Sequence, residues 1–168
     1  DGMELVSHPC TMDYHISEFP WEDIMHCAIH QGYCSHQTST CGLHLHVNRN
    51  AFSDNQEEQD EVISRILYFV EHHWNELLKF SRRSEYAMNR WAARYGYEHT
   101  PKAIMDKAKK GGNGRYAAVN LCNYHTVEFR LFRGTLKYNT FIATIQLVNR
   151  ICDAAMYNTD DSIAKLSW

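Results

Sequence analysis

The sequence predicts an α+β domain, with a mostly antiparallel sheet and helices packed on one of its faces. Two segments, Cys41 to Asn48 (CGLHLHVN) and Thr126 to Phe132 (TVEFRLF), alternate apolar and polar residues with period two. Between them a long stretch repeats Ile63, Ile66, Leu67, Val70, Trp74 and Leu77 at helical spacing. The segment order reads β-α-β-α-α-loop-β-β-α and ends in a hairpin and a helix, too irregular for a doubly wound parallel fold.

Each element has its own local reason. Met3 to His8 (MELVSH) reads as a short strand closed by Pro9, which cannot donate to a ladder. Trp21 to Gln31 follows Pro20, carries Trp21, Ile24, Met25 and Ala28 on one helical face, and stops at Gly32. Ser53 and Gln56 form a capping box that opens the longest helix, which runs to Phe80 or beyond. Ser84 to Arg94 forms a second helical piece, and Glu98 to Gly114, rich in lysine and glycine, reads as an exposed loop holding a helical turn. Arg115 to Cys122 and Thr126 to Phe132 are strands joined by a tight turn at Asn123, Tyr124 and His125. Asn139 caps a last helix carrying Phe141, Ile145, Val148 and Cys152.

Composition narrows the function. With 168 residues, 44% hydrophobic and 22% charged, the chain is one domain with material for a real core. Its formal net charge of −3 gives no basic field, which argues against a nucleic-acid partner. Apolar runs such as Ile66 to Val70 fall far short of the ~20 residues that span a bilayer. No secretory leader pattern is visible, so no membrane partner and a cytoplasmic location are expected. Eleven histidines and a first residue, Asp1, that is not Met stand out. The six cysteines hold no Cys-x-x-Cys pair and are expected to be reduced and mostly buried. The order Cys34, Cys41, His44, His46 looks like zinc ligands, but its spacing does not fit the close pairs of a structural site.

Strand alternation locates the chemistry. His44 and His46 project together from one strand, and Glu128 and Arg130 from another, with apolar neighbours on the opposite side. Glu4, His44, Glu128, Arg130, Arg133 and Arg115 are therefore expected to meet on the wet face of the sheet. Carboxylates with a histidine suit a divalent cation, and arginines suit phosphate. Taken singly, each is an ordinary surface residue, since an exposed Glu-x-Arg pair is worth at most about 1 kcal/mol. The run Lys107, Lys109, Lys110, Gly111, Gly112, Asn113, Gly114 reads either as a phosphate cover or as a soluble loop. No Gly-x-Ser-x-Gly elbow or glycine-rich strand-to-helix fingerprint is present.

Four segments in order resemble one family: Gly2 to Pro9 (GMELVSHP), Thr40 to Val47 (TCGLHLHV), Arg115 to Leu121 (RYAAVNL) and Thr126 to Phe132 (TVEFRLF). They resemble the amidoligases, carboxylate–amine ligases related to glutamine synthetase and glutamate–cysteine ligase. The resemblance implies a glutamine-synthetase-like catalytic domain over residues 1–168. It also implies an ATP-dependent enzyme that forms an amide or peptide bond through an acyl phosphate. Carried over, Glu4, His44 and Glu128 are metal ligands for Mg²⁺ or Mn²⁺, and His46 and Arg130 are nucleotide contacts; Lys110, from the lysine–glycine run, is taken as a further nucleotide contact. Arg130, Arg133 and Arg115 are the catalytic phosphate binders, while Arg82 and Arg83 stand where the family often has an arginine of unassigned role. The implied substrates are amino-acid, peptide or cell-wall-type carboxylates and amines. The family begins with a further Glu-x-Glu strand and continues with a helix, so the chain is expected to lack both ends of the domain. Two alternatives differ in class: an inactive relative acting as a binding or assembly module, and a metal-dependent hydrolase using His44, His46 and Glu128.

Overall fold

A computed structural model describes residues 2–35, 38 and 40–168. In chain order it contains α1 (Met12–Ser17), α2 (Trp21–His30), β1 (Gly42–Asn48), α3 (Gln56–His72), α4 (Trp74–Ser81) and α5 (Glu85–Trp91). Then come α6 (Pro101–Lys109), β2 (Val119–Asn120), β3 (Thr126–Arg133), α7 (Tyr138–Tyr157) and α8 (Asp160–Ile163). The strands form one antiparallel sheet in the order β1-β3-β2, with β3 in the middle. The α+β class therefore holds, with eight α-helices around a small three-stranded sheet among the described residues.

The core forms where the apolar side of the sheet meets the helices. Val127 and Phe129 of β3 and Leu43, Leu45 and Val47 of β1 share one cluster with Ile63, Ile66, Leu67 and Val70 of α3 and with Val148 and Ile151 of α7. Burying each large aliphatic side chain there contributes about 1.5–3 kcal/mol. A smaller cluster of Trp21, Met25, Phe141 and Ile145 joins α2 to α7. No helix among the described residues is long and apolar enough to cross a membrane.

Several local expectations are corrected. Residues 3–8 form no strand: Met3, Leu5 and Val6 are exposed and pair with no part of the sheet. The cap of α3 is Asn55, whose side chain accepts from the amides of Glu57 and Glu58, while Ser53 Oγ donates to Glu58. The long helix breaks at His73, whose Nε2 meets the Leu166 carbonyl at 3.1 Å and whose ring packs on Phe69 and Trp168. The expected loop over 98–114 holds a nine-residue helix, α6. Thr100 caps α6, Pro101 fills its first turn, and Ile104, Met105 and Ala108 are buried. β2 shrinks to two residues because Gly114–Tyr116 forms a 3-10 turn, so the expected tight turn becomes a longer connection. α7 starts at Tyr138 without a side-chain cap, so Asn139 lies inside it. All six cysteines are free, but only Cys152 is buried; Cys27, Cys34 and Cys122 are exposed, against the expected burial.

Candidate functional site

The polar side of the sheet is built around its central strand. Strand pairing sets His46 of β1 opposite Glu128 and Asn120 of β2 opposite the same residue from the other side. Glu128 thus stands between a histidine and an asparagine. Its face is not the wet surface that alternation alone suggests, because Glu128 is only 4% exposed.

The two oxygens of Glu128 have different company. Oε2 accepts from the side-chain amides of Asn120 at 2.7 Å and Asn123 at 3.3 Å. Oε1 accepts from Arg130 Nη1 at 2.6 Å and lies 3.2 Å from His44 Nδ1 and 3.6 Å from His46 Nε2. Thr126 Oγ1, 3.1 Å from His46 Nδ1, holds that ring with its other nitrogen toward Glu128. Burial alone raises the Glu128 carboxyl, but hydrogen bonds from His44 and Asn120 and the nearby Arg130 charge outweigh it and hold it at about 2. The carboxylate is therefore charged throughout the neutral range.

A β-bulge brings arginines to the same face. Leu45 pairs with Phe129 and Leu43 with Phe132, so Arg130 and Leu131 together stand opposite His44. The extra residue reverses the alternation beyond it. Phe132 turns to the core beside Leu43, and Arg133, opposite Gly42, joins the face of His44 and His46. Arg82 and Arg83, at the end of α4, complete the group. Arg82 holds a left-handed backbone at φ 60°, an unusual conformation for a side chain of its size. A Cβ on Gly42 would lie 2.5 Å from Arg83 Nη2 and 2.9 Å from His44 Nε2, so these two side chains occupy the space glycine leaves open.

Three of these four arginines lack a carboxylate partner among the described residues. Arg65, Arg94 and Arg130 pair with carboxylates; among the described residues Arg82, Arg83 and Arg133 do not. Arg82 Nη2 and the Nε atoms of Arg83, Arg130 and Arg133 are buried without a hydrogen-bond partner. Burial and the Arg133 charge push Arg82 below its ordinary value, and burial and the Arg130 charge do the same to Arg83. Leaving a buried donor unmade costs about 1–3 kcal/mol, more when it is charged, so the cluster is arranged for an anion.

Comparison with known families bears on the same segments. A family model described as "putative amidoligase enzyme" matches residues 1–152. The chain belongs to this amidoligase family. No curated protein and no solved structure matches it.

Within this amidoligase chain the sequence-derived candidates are not all gathered together. His44, His46, Glu128, Arg130 and Arg133 share one face. Arg115 is exposed at its rim: its Nη2 bonds the Tyr116 hydroxyl at 2.9 Å, and both Arg115 and Arg130 lie over the Tyr116 ring. Glu4 is exposed on the strandless segment, outside the sheet. Lys110 is exposed at the end of α6, where its neighbour Lys109 pairs with Asp60 at 2.6 Å, and nothing joins it to Glu128. Asn120, Asn123 and Tyr116 were not among the candidates. Asn120 was within reach, since the predicted hairpin register already sets it opposite Glu128.

The donor set can be tested against a divalent cation. Glu128 Oε1 and the two imidazole nitrogens converge, a carboxylate and nitrogen set that suits Mn²⁺ better than Mg²⁺. Among the described residues no three such side chains are assembled into a ready metal pocket. Arg130 Nη1, 2.6 Å from Oε1, stands among the donors, so the set does not fit a divalent cation while that guanidinium is in place.

Proposed function

We propose that this chain is an ATP-dependent carboxylate–amine ligase, forming an amide or peptide bond through an acyl phosphate. The arginine group carries the reading: Arg82, Arg83, Arg130 and Arg133 offer buried, unpartnered guanidinium nitrogens around one carboxylate and two imidazoles. Phosphoryl transfer needs positioning and charge neutralisation more than a nucleophilic side chain, and this group offers that combination. Membership of the amidoligase family supports the same reaction class.

On this reading Arg133 and Arg130 hold the transferred phosphoryl group, with Arg82 and Arg83 behind them. Arg115, exposed at the rim, meets the incoming nucleotide or acid. The reaction class implies Mg²⁺ or Mn²⁺ to neutralise phosphate oxygens, and Glu128 with His44 and His46 would supply its protein donors only if Arg130 moved off Oε1. Asn120 and Asn123 fix the carboxylate of Glu128 so that one oxygen faces the site. The substrates fall in the amino-acid, peptide or cell-wall class, and the sheet is the core of a glutamine-synthetase-like catalytic fold.

The test supplies ATP, Mg²⁺ or Mn²⁺, a panel of amino-acid and short-peptide carboxylates, and hydroxylamine as a general amine. Carboxylate-dependent ADP release with hydroxamate formation is expected, falling about 100-fold in Arg133→Ala. Loss of the reaction in no arginine variant, or no ADP release across the panel, would refute the assignment.

A further inference from the structure

A cavity of about 450 Å³ lies between the start of α3, the end of α6 and the connection from β2 to β3. Its apolar lining comes from Met105 and Ala108, both buried, and from half-buried Leu121. Its charges do not balance. Lys109 Nζ donates to Asp60 Oδ2 at 2.6 Å, so these two lining charges neutralise each other. Arg49, the third, has no carboxylate partner among the described residues. It is fixed in place all the same. Its Nε donates to the Thr126 carbonyl at 3.4 Å and its Nη2 to the Leu121 carbonyl at 2.9 Å. Nη1 has no partner among the described residues and is not sealed inside the fold. A guanidinium held through one edge keeps its other edge for a planar acceptor, and a carboxylate matches that fork.

We infer that this cavity binds a small organic acid, with its carboxylate on Arg49 and an aliphatic tail against Met105, Ala108 and Leu121. One net positive charge beside an apolar lining selects a monoanion with a short hydrocarbon body. A free ammonium would meet Arg49 and Lys109 with Asp60 already taken, so amines and zwitterions are disfavoured. The site does not depend on the ligase reading. It is separate from the polar face yet joined to it through the chain: Leu121 and Cys122 stand between Asn120 and Asn123, which both hold Glu128.

Cys122, exposed at the cavity wall, reports on occupancy. The test follows its alkylation by iodoacetamide on the full chain, read by peptide mass spectrometry. Cys27, exposed on α2 and outside the cavity lining, is the internal reference. Isocaproate at millimolar concentration is expected to slow Cys122 several-fold and to leave Cys27 unchanged. Isocaproamide, which lacks the charge, and isoamylamine, which reverses it, are expected to protect neither thiol. N-acetyl-leucine carries a carboxylate on a peptide-like body, so whichever acid protects more strongly tells a peptide end from a simple acid. Arg49→Gln is expected to abolish protection. Because Arg49 also braces two carbonyls, Ala108→Leu is the second variant: it keeps the guanidinium, fills the apolar lining and is expected to abolish protection as well. No protection by either acid in the parent protein, equal protection by the amide, or protection that survives in either folded variant overturns the site.

Discussion

Two buried carboxylates in this protein each pair with an arginine, and they differ in everything else. Glu71, 3% exposed, sits on α3; Glu128, 4% exposed, sits on β3. Around Glu71 every bond closes. Arg94 Nε donates to its Oε2 at 2.8 Å, Arg94 Nη2 to its carbonyl at 3.0 Å, and the Tyr95 amide to its Oε1 at 2.7 Å. The same arginine lies over the Trp74 ring at 5.0 Å. Around Glu128 the bonds stay open on one side, with two half-exposed histidines near Oε1 and guanidinium nitrogens left without partners. Equal burial therefore means different things. The closed pair pins the segment after α5 against α3. The open pair keeps charge available for something the chain does not itself contain.

The comparison breaks most visibly if the two carboxylates are removed. Glu71→Ala leaves the half-exposed Arg94 guanidinium and the Tyr95 amide without their acceptor, which costs about 1–3 kcal/mol. For a chain of this size that lowers Tm by roughly 5 °C. Glu128→Gln also destabilises, because Arg130 loses the carboxylate it pairs with beside the other arginines. The distinguishing measurement is Tm with added sulfate. Sulfate is expected to recover much of the loss in Glu128→Gln, where an anion meets waiting donors, and none in Glu71→Ala. Equal sulfate responses in the two variants would mean that the openness of the Glu128 side has no energetic content.

How much of this was legible in the sequence differs between the same two regions. The face around Glu128 was readable because period-two alternation fixes which residues of β1 and β3 share a side. That reading covered His44, His46, Glu128 and Arg130. Arg133 was expected on the same face although plain alternation sends it to the other; only the bulge opposite His44 brings it there, and a bulge leaves no mark on hydrophobic patterning. Glu4 was placed by the same alternation, yet no strand forms around it, because residues 3–8 pair with no neighbour. The closed region was invisible. Glu71, Arg94 and Tyr95 are 23 and 24 residues apart and belong to no shared motif. α6 hid behind its lysines, although Thr100 before Pro101 is a helix start, with Ile104, Met105 and Ala108 on one face.

A smaller change sharpens the open side alone. Gly42→Ala sets a methyl group where Arg83 Nη2 and His44 Nε2 now lie, at 2.5 and 2.9 Å. Arg83 ends in a flexible side chain, so it swings away rather than forcing the strand apart. Stability without anion is expected to change by only about 0.5 kcal/mol, as for a surface substitution. The rise of Tm with sulfate is expected to shrink several-fold. A large loss of Tm with an unchanged sulfate response would mean that Gly42 serves the packing of the sheet and not the arginine group.

The closed side is tested in turn at high pH. Tyr95 links that side to the sheet: its amide meets Glu71, and its hydroxyl donates to the Val119 carbonyl of β2 at 3.0 Å. Burial, with the negative charges of Cys122 and Glu71 nearby, pushes its hydroxyl up to about 12. The neutral phenol is thus favoured in the folded state. Below an ordinary tyrosine value of about 10, the group is protonated in folded and unfolded chains alike, and its contribution is fully present. Between about 10 and about 12 the unfolded chain loses the proton while the folded chain keeps it, so stability falls as pH rises. Tyr95→Phe removes this slope at the cost of one hydrogen bond, about 1 kcal/mol. Cys152, also raised to about 12 by burial, adds a fall of the same sign in both proteins, so it cancels in the difference. Denaturant unfolding at a series of alkaline pH values should show the two curves converging as pH rises. Parallel curves would mean that the Tyr95 hydroxyl is as free to ionise in the fold as in the open chain, and that the closed region is less tightly sealed than its hydrogen bonds imply.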